Sequence, residues 1–420
     1  MIGVAEAATS FALTRWLSRR GLSREAFEHW QTQALRQWLV RDLPQAPFYG
    51  SVPVSLSDLP VTNKAMLMAQ FDRFNICGIT AEQAWEATNE NRQIGGLTVG
   101  ASTGTSGNRG LFIISEAEKF RWLGTIVAKT IGDLIWRRQR VAIILPQSTS
   151  LYESAGKTGR IDLRFFDLTL GPEKWRDDIE TFNPTVMVAP PKILRHFAQE
   201  HFRLAPLRIF SAAETLDSVD RAIIEPYFGI SIDQIYMATE GLFAVTCRMG
   251  RLHLAEDSVF FEFEPVGDGL VTPLVTAFRR RTQIMARYRM NDLLRLSDKP
   301  CPCGSPLHTV DEIVGRMDDV FHLPSQRGNI IFTPDVLRNA VLKADRRIDD
   351  FRLIQIAQEA IELRLKPDLP NDAAIAATLA LEDLFAARQA SASISVIRAE
   401  MPLDIRSKLR RIQCHREGRQ

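Results

Sequence analysis

Residues 184–241 read PTVMVAPPKILRHFAQEHFRLAPLRIFSAAETLDSVDRAIIEPYFGISIDQIYMATEG. Pro184–Ala189 is a short apolar run bounded by prolines, the pattern of a buried strand. A helix is expected over Lys192–Glu200, a strand over Leu207–Ser211, a helix over Leu216–Tyr227 and a strand over Ser231–Tyr236. Val141–Pro146 is a further apolar run upstream. Short apolar strands alternating with helices predict an α/β fold with a parallel sheet. Ligands in such sheets sit beyond the strand C-termini. Two polar clusters fall there, Ala212-Ala213-Glu214 and Met237-Ala238-Thr239-Glu240-Gly241.

Toward the N-terminus lies STGTSGNRG at 102–110, between Gly95, Gly96 and Gly100 and the apolar run Leu111–Ile114. Glycines let backbone approach a bulky anion, and hydroxyls and one cation, Arg109, add donors and charge. The composition suits a polyphosphate, although a plain surface loop has the same residues. It is neither a Walker loop nor a dinucleotide fingerprint, because its glycines run G-x-x-G-x-x-G. Glu116–Leu134 reads as the helix that follows. Residues 11–42 carry Trp and Leu at helical spacing, which predicts packing helices.

Past Arg251 the texture turns to β: Val259–Phe263 and Leu270–Thr276 flank a Gly267-Asp268-Gly269 turn. Gly315–Asp319 looks like a boundary. Beyond it, strands at Asp350–Ile356, Ala360–Leu365 and Ala392–Arg398 and a helix at Asp372–Arg388 make a small α+β unit. The expectation is a large domain over 1–316 and a small mobile one over 317–420.

The chain has 420 residues, 45% hydrophobic and 24% charged, which suits a globular protein with an ample core. A net charge of +2 gives no reason to expect nucleic acid as a partner. No apolar run approaches the roughly 20 residues of a membrane span. Met1–Ala12 lacks the form of a secretory signal, so a cytoplasmic location is expected. Five cysteines do not suggest a disulfide framework. A homodimer is compatible with all of this.

In order, STGTSGNRG, SAAE (211–214), YMATEG (236–241), YRMND (288–292), GRMDD (315–319) and SKLRR (407–411) resemble the motifs of the adenylate-forming, acyl-CoA synthetase-like superfamily. The Pro47-Phe48-Tyr49 and PVTNK stretches and the CPCG cluster look most like its phenylacetate–CoA ligase-like branch. The resemblance implies that Ser102, Thr103, Gly104, Thr105, Ser106, Gly107 and Arg109 cradle the phosphates of ATP. It implies that Glu214 lines the adenine pocket and that Tyr236 stacks on the base. Thr239 would bond the α-phosphate, Glu240 would hold Mg²⁺, Asp292 would accept the ribose hydroxyls and Arg316 would support ribose or phosphate. Lys408 would be the catalytic cation and Asp318 the hinge. Ala213, Met237 and Ala238 would line the acyl pocket. Each has a plainer reading: Tyr236 as core, Glu214 as a helix cap, Lys408 as part of a solvated basic tail.

The sequence departs from the family pattern at Asn108-Arg109, where a Lys-Pro pair is usual, and at Asn291 and Ser407, where Gly is usual. Asn is the next-best residue for a left-handed turn.

Cys247, His253, Cys301 and Cys303 could form a closed structural zinc site, although C-x-C is tighter than the usual spacing and two buried cysteines beside a turn that happens to hold the other two residues would look the same. Cys77 and Cys414 stand apart and read as ordinary thiols.

The implied reaction joins a carboxylic acid to coenzyme A through an acyl-adenylate. The alternatives are an amine or hydroxyl acceptor, or a degenerate member that only binds nucleotide or acid.

Overall fold

The computed structural model of the chain describes residues 2–90, 92–102, 109–133, 137–145, 160–326, 328–405 and 407–415. It begins with two helices, α1 (Ile2–Leu17) and α2 (Arg24–Arg41). Ser23 caps α2, its hydroxyl accepting from the Ala26 amide at 3.2 Å. Next come α3 (Lys64–Ala69), α4 (Ala81–Asn89) and a small antiparallel sheet of β1 (Gln93–Ile94), β2 (Leu97–Ala101) and β3 (Leu111–Ile114). Residues 103–108 of the hydroxyl-and-glycine stretch, with Thr103, Gly104, Thr105, Ser106 and Gly107, lie outside the described residues. Their flanks are tied together: the Ser102 amide donates to Gly110 O at 2.8 Å, and the Gly110 amide donates to Ser102 Oγ at 2.7 Å.

α5 (Glu116–Thr130) opens on a capping box in which Ser115 and Glu118 satisfy each other's amides. It is shorter than the predicted 116–134. β4 (Gln139–Leu145) then starts the large sheet. The sequence reading missed its edge neighbour β5 (Ile161–Asp167), because Asp162 and Arg164 interrupt the apolar run on a strand paired along only one side. After α6 (Arg176–Phe182) come β6 (Val186–Ala189), α7 (Pro191–Gln199), β7 (Arg208–Ser211), α8 (Ser218–Phe228) and β8 (Ile232–Ala238). These strands are parallel, in the order β5-β4-β6-β7-β8. Val141 and Ile143 enter one core cluster, and Ala142 and Ile144 another, so the sheet is covered on both faces.

β8 also pairs antiparallel with β9 (Gly241–Thr246), and the sheet continues as the expected β region. Its strands are β10 (Leu252–Leu254), β11 (Phe260–Gly267), β12 (Leu270–Thr276), β13 (Tyr288–Arg289), β14 (Asp292–Leu296) and β15 (Thr309–Arg316). The order runs β8-β9-β10-β15-β14-β12-β11, with β13 on β12. Asp268, at φ 52° between two glycines, makes the tight turn from β11 to β12.

The remaining chain has its own core of Phe321, Phe332, Leu353, Leu363 and Phe385. It comprises β16 (Phe321–Ser325), β17 (Gly328–Phe332), α9 (Pro334–Ala344), β18 (Phe351–Ala357), β19 (Ala360–Leu365), α10 (Asn371–Ala387), β20 (Ser393–Arg398) and β21 (Ile412–Cys414). The hairpin β16–β17, helix α9 and strand β21 were not anticipated. Among the described residues, no helix is long and apolar enough to cross a membrane.

Candidate active site

β7 and β8 end side by side, and the antiparallel β14 and β15 place Asp292 and Arg316 as direct cross-strand partners. These ends border a cavity of about 1210 Å³. Its wall includes Thr239, Glu240, Asp292, Arg316, Asp318 and Lys408. Ser102 and Arg109, on either side of the undescribed stretch, reach the same space, as do Ala213, Met237 and Ala238. Residues more than three hundred positions apart in sequence thus share one cleft.

The turn between β8 and β9 is tight, and it aims Thr239 and Glu240 inward. Thr239 Oγ1 donates to Glu240 Oε2 at 2.8 Å, and the Tyr288 hydroxyl donates to Glu240 Oε1 at 3.0 Å. The carboxylate is therefore held at both oxygens. Burial and the neighbouring Glu240 charge push the Tyr288 hydroxyl far above its ordinary pKa, so it remains a donor. Asp292 accepts from the Tyr236 hydroxyl at 2.6 Å. Burial raises the Asp292 pKa, and Tyr236 and Arg316 offset part of that. Ala213 sits at φ 69°, a left-handed conformation that costs a residue with a Cβ roughly 1 kcal/mol or more. Strain of this kind is common where a backbone must approach a ligand.

Lys408 arrives from the C-terminal unit. Burial, and Arg316 beside it, pull its pKa below the ordinary lysine value. Its segment is clamped: Lys192 Nζ, from α7, donates to the carbonyls of Asp404 and Ser407. Arg410 pairs with Asp319. Arg411, with only 3% of its side chain exposed, pairs with Asp217 at 2.5 Å, Asp220 at 2.8 Å and Asp350 at 3.2 Å. Among the described residues, what looked like a possible solvated tail holds one buried cation, Arg411, and two partly buried ones, Lys408 and Arg410.

Three expectations change. Glu214 is not on the cavity wall; its carboxylate is buried, pairs with Lys192 at 2.9 Å and accepts from the Leu409 amide at 3.2 Å. A strand-end carboxylate so close to a buried lysine is drawn to that charge rather than to a base. Tyr236 is only 8% exposed, and its ring packs at 5.2 Å from that of Phe243. The buried ring leaves little face for stacking, and its hydroxyl is spent on Asp292. Asn291 also differs from expectation: it needs no left-handed backbone, and its amide donates to Asp318 instead.

Sequence reasoning gave no role to Lys64 or Arg280, which both line the cavity. A Cβ on Gly110 would lie 3.6 Å from Lys64 Nζ and 3.8 Å from Thr239 Oγ1, so the ammonium stands beside the end of the glycine stretch. The signal for Lys64 was present in PVTNK. Arg280, in a run of three arginines, reads as solvated; its guanidinium instead donates to Glu240 O and Ile113 O, each at 3.2 Å.

Cys247, His253, Cys301 and Cys303 come together, with their ligand atoms all within 4.8 Å of one another. The Cys247 and Cys301 sulfurs are 3.7 Å apart, close to the edge of a tetrahedron with metal–sulfur bonds of about 2.3 Å. His253 Nδ1 is 3.0 Å from the Leu307 carbonyl, which can only accept, so the proton sits on Nδ1. Nε2 then presents its lone pair toward the cysteines. Cys414, read as a thiol standing apart, donates to Gln355 Oε1 at 3.4 Å.

No family model matches the chain. Protein CapK of Staphylococcus aureus is 26% identical over 132 residues, 30% of this chain and 29% of that protein, so the match spans under a third of this curated relative. A solved 2-hydroxyisobutyryl-CoA ligase in the postadenylation state, in complex with 2-HIB-AMP, is similar over 95% of this chain and 91% of its own, with a TM-score of 0.70 and 18% identity. The same ligase in the thioesterification state, in complex with 2-HIB-AMP and CoA, covers 95% and 92% with a TM-score of 0.56 and 19% identity. The amide bond synthetase McbA from Marinactinospora thermotolerans covers 74% and 68%, with a TM-score of 0.52 and 14% identity. The fold is that of the adenylate-forming ligases.

Proposed function

We propose, starting from a fold shared with AMP-forming acid ligases, that this chain activates a carboxylic acid with ATP and passes the acyl group to coenzyme A. In the first step a carboxylate oxygen attacks the α-phosphorus, the bond to the bridging oxygen breaks, and pyrophosphate leaves. In the second step the thiol attacks the acyl carbon and AMP leaves. The observation that carries the reading is the convergence of Lys408, Thr239, Glu240, Asp292 and Arg316 on one cavity bordered by Ser102 and Arg109.

Negative charge builds around the α-phosphorus in the transition state, and fixed cations and donors are the main catalytic device available. Lys408 and Thr239, both on the cavity wall, would serve that centre. Asp292, oriented by Tyr236, would accept ribose hydroxyls. The undescribed stretch 103–108 would wrap the β- and γ-phosphates, with Arg109 and Lys64 as its cations. Glu240 would hold Mg²⁺, a hard cation that prefers carboxylate oxygen. We read the Cys/His set as a closed structural zinc site, because four protein ligands leave no open position for chemistry. Zinc there would tie β9 and β10 to the Cys301–Cys303 loop. The unit over 317–420 would turn about Asp318 between the two half-reactions, and the phenylacetate–CoA ligase-like branch is the one its motifs suit best.

The test is ATP–pyrophosphate exchange across aryl and aliphatic acids, repeated with coenzyme A, with hydroxylamine as an amine control. Acid-dependent exchange, and AMP release with thioester on adding coenzyme A, is the expected result. Exchange without thioester would move the reading to another acceptor. No exchange with any acid would end it.

A further inference from the structure

Part of the cavity wall comes from α5, from Ser258 and Val259 and from the segment after β12, and α1 packs on α5. α1 lies tight on α5: a Cβ on Gly124 would stand 2.1 Å from Ala7 O. Ser10 and Thr14 of α1 are buried there. The charges there do not balance. Arg121 pairs with Glu6 at 3.2 Å, and Lys129 pairs with Asp257 at 2.7 Å. Arg279 is left with no carboxylate within 4.0 Å among the described residues. Its hydrogen-bond partners are neutral hydroxyls, Ser10 Oγ at 3.1 Å and Thr125 Oγ1 at 3.5 Å. Burial pulls its pKa below the ordinary arginine value, and the nearby Asp257 offsets only part of that.

A guanidinium has five donors, so most of this one remains uncommitted. Arg279 lines the cavity, and so do Arg121, Thr125 and Ser258. The Ser258 hydroxyl oxygen is buried without a partner, adjacent in sequence to Asp257. A partly buried cation with spare donors, in the same cavity wall as an unsatisfied hydroxyl, is costly unless something arrives to use them. Its neighbour Arg280 is committed instead to the carbonyls of Glu240 and Ile113. Trp122, Val259 and Ala277 give the same cavity apolar walls.

We propose that the acid accepted here carries a second anionic group, a distal carboxylate or its equivalent, bound by Arg279 with Ser258 and Thr125. This rests on the acid-ligase reading and names the substrate class of that same site. Only the proximal carboxylate meets the α-phosphate; the distal one fixes the length and register of the substrate in the cavity.

The experiment compares full-length protein with straight-chain dicarboxylates from succinate to suberate and with phthalate isomers, each against its monocarboxylate of equal skeleton, in pyrophosphate exchange. The expected result is a dicarboxylate preferred over its matched monoacid by about tenfold or more in kcat/KM, the size of one charge-assisted hydrogen-bonded pair. Arg279→Gln should collapse that ratio toward one, and Arg279→Lys should restore part of it. A wild-type preference for monoacids at every length overturns the inference while leaving the ligase reading intact. An unchanged ratio in Arg279→Gln, with both rates falling alike, overturns it too and makes Arg279 a packing residue. Absence of exchange with every acid sinks both readings together.

Discussion

Lys408 is the residue on which the two half-reactions should divide. Lys408→Ala is expected to lower pyrophosphate exchange by about 100-fold or more, the scale of a lost transition-state donor, while thioester formation from preformed acyl-adenylate persists. Rapid-quench assays of each half-reaction check this, and equal loss in both would remove its assigned role. Its depressed pKa gives a pH signature. The charged form is the one needed, and burial makes the free enzyme lose that proton below the ordinary lysine range. The alkaline limb of kcat/KM should therefore fall earlier than an exposed lysine would dictate, and Lys408→Arg should abolish the limb, because guanidinium does not deprotonate. Asp292 and Tyr236 form the second pair to separate. Tyr236→Phe removes the 2.6 Å hydrogen bond but keeps the ring against Phe243. KM for ATP should rise several-fold, with less change in kcat; an unchanged KM would take Tyr236 out of the nucleotide site. Much of this level was legible in the sequence, since Thr239, Glu240, Asp292 and Lys408 lie where the strand ends and motifs put them. The misread residues, Glu214 and Tyr236, owe their positions to partners that no local pattern names: Lys192 on another helix and Phe243 on the next strand.

Elements dock here through buried ion pairs as much as through apolar faces. α2 is held to the β10–β11 loop by Arg24 on Glu256, two hydrogen bonds of 2.8 Å, with His308 at 3.0 Å on the same carboxylate. Burial alone would raise the Glu256 pKa, but His308 and Arg24 more than offset it and bring it to about 2 from 4.5. A depressed folded pKa gives stability that is present above pH 4.5 and is lost as pH falls toward 2. The difference corresponds to about 3 kcal/mol. Denaturant titrations at neutral and acid pH should show that loss, and Glu256→Gln should lose most of the acid dependence along with stability at neutral pH. Parallel strands and their helices were readable because apolar runs alternate with helical spacing. β5 and the 321–332 hairpin were not, because their polar residues break the runs and their pairing is decided by distant neighbours.

The whole molecule has two bodies of packing, one around the large sheet and one around the 317–420 unit, and charge spans the seam between them. Across it Arg411 reaches Asp217 and Asp220, Arg338 reaches Asp217, and Arg195 reaches Asp349. Arg411→Leu removes the shared cation of Asp217, Asp220 and Asp350 and leaves them only Arg338, Arg195 and Arg352, which should cost about 3 kcal/mol of closed-form stability. Faster limited proteolysis near residue 318 and reduced exchange activity would register it, and an unchanged cleavage rate would count against the seam as a lock. For the metal, purified protein should contain about one zinc per chain, and Cys301→Ser should release it and lower the melting temperature. A seam of this make-up has a calorimetric consequence. Wetting polar groups lowers heat capacity, whereas wetting oily ones raises it. Parting these two bodies should therefore carry a smaller heat-capacity increment than an all-apolar seam would, with Leu270, Leu293 and Val314 against Val320 as its oily part, and become easier as added electrolyte screens the pairs.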